Sequence, residues 1–273
     1  MGLPRYERME VQAPGPDADH TWMGNRDDPT TRWLRRTRWI WHRVPTAPRC
    51  KMCYRPFGSL GGQIVRLRGV GPWPGNPKYC TECFKALYQK REGAEIDCTL
   101  LFADIRGSTQ LAESMSSGEF RTRMDRFYAA ACAALVNNDA IVDKFAGDEV
   151  IGIFIPALTH GNHARDAIYA ARELMLATGH DTDAPWAPTG IGINTGQAFV
   201  GVVGTADHIE FTALGDAVNV TSRLASIAAA GEILVTEASA TSGGVEGADV
   251  RERRRLDLRG RSEATDVVVL TLA

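Results

Sequence analysis

A chain of 273 residues, 44% hydrophobic and 23% charged with a net charge of −2, has the makeup of an ordinary folded protein with room for one full core and a second small module. No apolar run reaches the roughly 18 residues of a membrane span. The opening Met1-Gly2-Leu3-Pro4-Arg5 has neither an export core nor the Ser or Thr of a myristoylation motif, so a soluble, cytoplasmic protein is expected.

The small net charge hides an asymmetry. From Pro29 to Thr81 there are eleven Lys or Arg and no Asp or Glu, which leaves −13 for the remainder. Two units with different work are expected.

Residues 1–30 are rich in Pro, Asp and Gly without apolar period and read as a loose tail. Residues 31–48 hold a basic helix, Thr31 to Arg43, in which Trp33, Leu34, Ile40 and Trp41 share a face and Pro45 ends the element. Its chemistry suits an anionic membrane or nucleic acid. Packing against its own or a sister chain is favoured, because one short helix is a weak electrostatic footprint.

Residues 49–93 form a four-cysteine module. Cys50-x-x-Cys53 and Cys80-x-x-Cys83, separated by 26 residues, have the form of two metal knuckles. Tetrahedral Zn2+ is the leading reading and rubredoxin-like iron the minority one. Four thiolates on a divalent ion leave a charge of about −2, which Lys51, Arg55 and Lys78 are placed to offset. A structural brace is favoured over a nucleic-acid reader. Gly58 to Pro77 reads as short strands and turns, and Phe84 to Glu92 as a short helix. Cys98 and Cys132 fall in apolar patterns and read as small core residues.

Residues 94–273 are regular. A buried strand, Ile96 to Ala103, is followed by a helix opened by the capping box Ser116-x-x-Glu119, with Phe120, Met124, Phe127, Tyr128, Ala131 and Leu135 on its apolar face. Next come a hairpin over 140–155 with its tip near Ala146-Gly147, a helix from His163 to Ala177, and two strands, Gly190 to Asn194 and Ala198 to Val203. The order is β-α-β-β-α-β, so the fold class expected is α+β, a ferredoxin-like antiparallel sheet with helices on one face. Phe211-Thr212, a helix from about Asp216 to Ala229, the strand Ile233 to Val235 and a final pair of strands extend it.

Three stretches carry chemistry. Asp104 ends one strand and Asp148 sits at the hairpin tip, which suits two divalent cations about 4 Å apart against a nucleoside triphosphate. After Asp104, the turn Arg106-Gly107-Ser108-Thr109 offers backbone N–H groups to a polyphosphate. On the helix after Thr212, Asn219 and Arg223 share a face beside Val220, Leu224 and Ile227, one hydrogen-bonding group and one cation aimed at charge building on phosphorus.

Phe102 to Thr109, Lys144 to Asp148 and Phe211 to Arg223 together resemble, in order, the motifs of the class III nucleotidyl cyclases, over about Glu95 to Ala273. The resemblance implies Mg2+ or Mn2+ on Asp104, Asp148 and the Ile105 carbonyl, and Lys144 with Thr212 reading the purine. Lysine there implies adenine, whose N1 accepts where guanine's donates. It implies Asn219 and Arg223 as the residues that orient the ribose and stabilise pentavalent phosphorus. Arg259 is implied, on a loose match, as a phosphate contact, while Gln197 stands where some relatives carry a phosphate-binding arginine. The resemblance also implies a site shared in a homodimer, with one chain supplying the aspartates and its partner the other four residues. The expected activity is ATP to 3′,5′-cyclic AMP and pyrophosphate. The alternatives are another nucleoside triphosphate as substrate, or a non-catalytic nucleotide sensor whose zinc module binds nucleic acid or a partner. Ala146-Gly147-Asp148-Glu149 is also similar to the diguanylate cyclase signature, but the first glycine is missing and the Asn219 helix has no role there.

Overall fold

The computed structural model describes residues 27–44, 48–73, 76–83, 93–159, 162–204, 209–258, 261, 263–270 and 272. Helix α1 (Pro29–His42) is capped by Asp28, whose carboxylate accepts from the N–H of Thr30 at 2.7 Å and of Thr31 at 3.2 Å. Pro29 and Thr30, assigned to the tail from sequence, therefore open the helix, with proline where its missing N–H does no harm. Residues 1–26 of that tail lie outside the described residues.

The buried face of α1 is Thr31, Leu34, Thr37 and Arg38, whereas Trp33, Trp39 and Ile40 are exposed. Of the expected stripe, Leu34 and Trp41 pack against the core but Trp33 and Ile40 do not, so the packing face is shifted toward Arg38. Arg38 is the reason. Its guanidinium donates to the carbonyls of Met52, Asp139 and Ala140, each at 2.9 Å, and to the Tyr54 hydroxyl. A five-donor fork satisfies several buried acceptors at once, which residue periodicity counts as a solvent-facing charge.

In the cysteine module, α2 (Ser59–Leu67) occupies ground expected to be strands and turns. Its glycines serve close packing: a Cβ on Gly62 would lie 2.5 Å from the Phe57 carbonyl oxygen. Strands β1 (Pro72–Trp73) and β2 (Asn76–Cys80) follow as a small antiparallel pair. The helix expected over Phe84 to Glu92 lies outside the described residues.

From β3 (Gly93–Ile105) the order runs α3 (Ser108–Ser114), α4 (Ser117–Asn137), β4 (Ile141–Ala146), β5 (Glu149–Phe154), α5 (His163–Ala177), β6 (Thr189–Gly204), β7 (Ile209–Leu214), α6 (Asp216–Ile227), β8 (Ile233–Thr236), α7 (Glu237–Gly243), β9 (Val250–Leu256) and β10 (Thr265–Leu270). The sheet order β4-β5-β3-β6-β8-β10-β9, with β7 also on β6, contains the ferredoxin-like arrangement in β4-β5-β3-β6. The Ser116–Glu119 capping box forms in both directions.

The sheet departs from expectation at β6. The strands predicted at Gly190–Asn194 and Ala198–Val203 are one, because β6 pairs with β3 continuously from Thr189 to Gly201. The polar break Thr195-Gly196-Gln197 is carried by that ladder, and Thr195 exchanges a 2.7 Å hydroxyl bond with Thr99. The two helices of the βαββαβ unit share one face of the sheet, as expected, and the helix of the extension takes the other. Helices α4 and α5 pack on one side through Phe127, Leu135, Ala167 and Leu174, while α6 packs on the other. A Cβ on Gly192 would lie 2.4 Å from the Ala225 nitrogen, and one on Gly190 2.6 Å from the Ala228 carbonyl oxygen. Two glycines on one face of β6 thus let α6 lie directly on the sheet beside Asp104, whose β3 position is opposite Gly190.

The cysteine module covers part of that second face. Tyr79 accepts a 2.9 Å bond from the Phe211 N–H through its hydroxyl, and Lys51 reaches from the module into the sheet. No helix among the described residues is long and apolar enough to cross a membrane.

Candidate active site

Asp104 stands opposite Glu149 in the β3–β5 register, and Asp148 precedes Glu149 in the hairpin turn. Ala146 pairs with Glu149, so the tip is Gly147-Asp148, one residue later than the sequence suggested. Gly147 adopts φ +65°, open to glycine without the Cβ penalty. Tyr128 from α4 braces this tip, stacking on Phe145 with centroids 4.5 Å apart and donating to the Gly147 carbonyl.

The two aspartates meet. Burial, first, and the neighbouring Asp148 push the Asp104 carboxyl up to about 6, against the opposing pull of Arg106. Glu149, which the sequence did not single out as a site residue, is pushed up to about 7 by burial and by Asp104 and Asp148. One oxygen of Asp104, Oδ2, receives the Arg106 guanidinium; the other, Oδ1, is buried without a hydrogen-bond partner. A crowded set of acids with an orphaned buried oxygen fits a hard divalent cation, for which carboxylate oxygens are the ordinary ligands. Arg106 also donates to the Ser226 carbonyl at 2.9 Å, tying the acid pair to the end of α6.

Both acids hold protons more tightly in the fold than in an unfolded chain, so ionising them weakens the fold. That penalty is absent below about pH 4, grows as pH rises, and is complete above about 6 for Asp104 and about 7 for Glu149. A bound cation offsets it. Calorimetric Mn2+ affinity is therefore expected to rise steeply from about pH 5 to about pH 7 with proton release, then level off. An affinity flat across that interval would refute a carboxylate site.

Ile105 closes β3 with its side chain buried, and Gly107 (φ +70°) turns the chain into α3 at Ser108 and Thr109. Lys144 and Thr212 converge on one atom: Asp143 Oδ2 accepts from the Thr212 hydroxyl at 2.7 Å and lies 3.9 Å from Lys144 Nζ. On α6, Asn219 is exposed and Arg223 half-buried, above buried Val220 and Leu224. Ile227, expected in that apolar stripe, is 48% exposed. Neither polar side chain is bonded to the acid pair or to Lys144 among the described residues. Arg259 lies outside the described residues. Gln197 is exposed on β6 opposite Asp97, seven residues and about 23 Å along the strand from the acid end.

A cleft of about 930 Å³ lies at the N-terminal end of α6, lined by Asn194, Gln197, Asp216, Thr236 and Arg261 among others. It does not include the acid pair.

Cys50, Cys53, Cys80 and Cys83 are buried, with their four Sγ atoms within 4.8 Å of one another. The Cys53–Cys80 sulfur separation is 3.7 Å, near the roughly 3.8 Å edge of a tetrahedron of thiolates at about 2.3 Å from a metal, and far beyond a disulfide bond. The Cys80 N–H donates to Cys50 Sγ at 3.2 Å and the Cys83 N–H to Cys80 Sγ at 3.4 Å. Hydrogen bonds from Cys50, Cys53 and Cys83 pull the Cys80 thiol down, and the same network pushes Cys83 up. Four such thiols fit a thiophilic ion that takes all of them as thiolates. Of the cations expected to offset their charge, Arg55 pairs with Glu82 beside the cluster, but Lys51 points away, to Asp143. Lys78's side chain lies outside the described residues.

A family model described as the Adenylate and Guanylate cyclase catalytic domain matches residues 91–271. Over 179 residues, 62% of this chain, the sequence is 32% identical to the terminal-differentiation specific adenylate cyclase of Dictyostelium discoideum, of whose length the match spans 8%. The crystal structure of the adenylyl cyclase CyaB from P. aeruginosa is similar at a TM-score of 0.57 and 25% identity, covering 66% of this chain and 96% of that one. That of the guanylyl cyclase Cya2 is similar in fold at a TM-score of 0.60 and 24% identity, covering 66% and 99%.

Proposed function

Because this chain belongs to the adenylate and guanylate cyclase catalytic-domain family, we propose that two copies of it convert ATP to 3′,5′-cyclic AMP and pyrophosphate at sites shared across a twofold axis. The ribose 3′-oxygen bonds to the α-phosphorus as the bond to the β-phosphate oxygen breaks; pyrophosphate leaves and the 3′-hydroxyl proton passes to solvent. The observation that carries this reading is the buried Asp104 oxygen without a hydrogen-bond partner among the described residues, on a strand end that faces Glu149 and the Asp148 turn.

Mg2+ or Mn2+ held by Asp104, Asp148 and the Ile105 carbonyl would acidify the 3′-hydroxyl and neutralise phosphate charge. Gly107, Ser108 and Thr109 offer backbone N–H groups to the triphosphate, Arg259 a cation. From the second chain, Lys144 donates to adenine N1 and Thr212 faces the 6-position. Asn219 orients the ribose, and Arg223 balances charge on the pentavalent phosphorus, where a fixed cation acts most strongly. That neither Asn219 nor Arg223 is bonded to Lys144 or to the acid pair within one chain, among the described residues, is consistent with a site that two chains complete. The cysteine cluster takes Zn2+ as a brace.

The direct test is purified protein incubated with each nucleoside triphosphate and Mn2+ or Mg2+, with products identified by mass spectrometry. Cyclic AMP with stoichiometric pyrophosphate is expected. Cyclic GMP would move the substrate, and tight nucleotide binding without any cyclic product would replace catalysis with sensing.

A further inference from the structure

Lys51 lies one residue from a metal-knuckle cysteine, yet its ammonium is spent inside the catalytic domain. It donates to Asp143 Oδ1 at 2.8 Å, to the Phe211 carbonyl at 2.7 Å and to Glu210 Oε1 at 3.3 Å, which uses its three protons. Lys51 and Asp143 are nearly fully buried, with side chains 5% and 3% exposed. The other oxygen of Asp143 takes the Thr212 hydroxyl at 2.7 Å and lies 3.9 Å from Lys144 Nζ.

We propose that Asp143, anchored by Lys51 of the cysteine module, is a specificity-determining positioning residue that sets which purine the site accepts. Asp143 has this role on the reading of Lys144 and Thr212 as the purine-facing pair. A free threonine hydroxyl both donates and accepts, so it suits either the adenine 6-amino group or the guanine 6-oxygen. A carboxylate can only accept. With Asp143 Oδ2 taking its proton, Thr212 has only lone pairs left to offer. Because Thr212 is buried, 4% exposed, its hydroxyl has little freedom to turn. The edge presented is then one donor, Lys144, and one acceptor, Thr212. Adenine, with an acceptor at N1 and a donor at the 6-position, matches both. Guanine, with the reverse pattern, is opposed twice, and unpaired buried polar groups are what make such rejection strong.

Asp143→Asn tests this. Lys51 is a donor, so it draws the amide oxygen and turns the NH2 toward Thr212. The Thr212 hydroxyl then accepts and its proton is freed for the guanine 6-oxygen. The ratio of kcat/KM for ATP over GTP is expected to fall at least about tenfold, with GTP turnover gained rather than both lost. Should that variant not fold, Lys51→Met with Asp143→Leu removes both buried charges together, a change proteins often tolerate, and leaves Thr212 free to rotate. The same fall in ratio is expected. An unchanged ratio in a folded variant, or equal loss of both activities, overturns the proposal while ATP turnover by the unaltered chain leaves the cyclase reading standing. An unaltered chain that prefers GTP, or forms no cyclic nucleotide, overturns the adenine reading or the cyclase reading, and the proposal with it.

Discussion

Asp104→Ala is expected to lower turnover by about a thousandfold or more while leaving the chain folded. Cation-borne charge stabilisation contributes several kcal/mol to such a transition state, and each 1.4 kcal/mol is about tenfold in rate. The fold should tolerate the loss. Burial and Asp148 push the Asp104 carboxyl up to about 6, so its ionised form is a burden to the empty site at neutral pH, and the melting temperature should hold or rise. Asn219→Ala should cost about a hundredfold or more by removing a polar contact to the reacting nucleotide. Mixing the two variants is the decisive form of the experiment. In a mixed dimer one site lacks both groups and the other has both, so random pairing should restore about a quarter of full activity. Activity that stays at the level of the separate variants would place both groups in one chain's own site.

Removing the metal expected at the cysteines is the second large effect. Structural zinc sites contribute roughly 10–16 kcal/mol of apparent binding free energy that is also folding free energy, so a chelator should unfold the module. The damage should spread. Lys51 would leave Asp143 buried without its cation, and breaking such a pair from one side costs about 3–5 kcal/mol. At roughly 2–4 °C per kcal/mol the catalytic domain's melting temperature should fall by about 10 °C, and the Arg38 bonds to Asp139 and Ala140 would be lost as well. Zn2+ should restore both transitions, and elemental analysis should find about one metal per chain. A catalytic domain that melts unchanged after chelation would show the module to be an independent appendage.

The local rules served well where the chain's own period decides the outcome. The α5 bounds, the Ser116 cap and the hairpin strands follow from apolar spacing and from Ser, Glu and Gly at set offsets. They failed where a partner element supplies the missing interactions. Strand β6 runs through Thr195-Gly196-Gln197 because β3 completes its ladder, and α2 accepts Gly61 and Gly62 because Phe57 and Pro56 lie against them. Arg38 reads as a solvated charge until four buried acceptors surround it.

By itself the sequence determined the βαββαβ order, the pairing of two Cys-x-x-Cys knuckles and the motifs bearing Asp104, Asp148, Lys144, Thr212, Asn219 and Arg223, since each is written in residues close together along the chain. Only the tertiary structure decided that Glu149 and Arg106 crowd Asp104, that α6 lies on the face opposite α4, and that Lys51 reaches Asp143 across 92 positions. Charge type and spacing carry no record of such distant partners, because a buried ion pair depends on where the backbone brings two chains of atoms together, and that is settled by packing of the whole sheet.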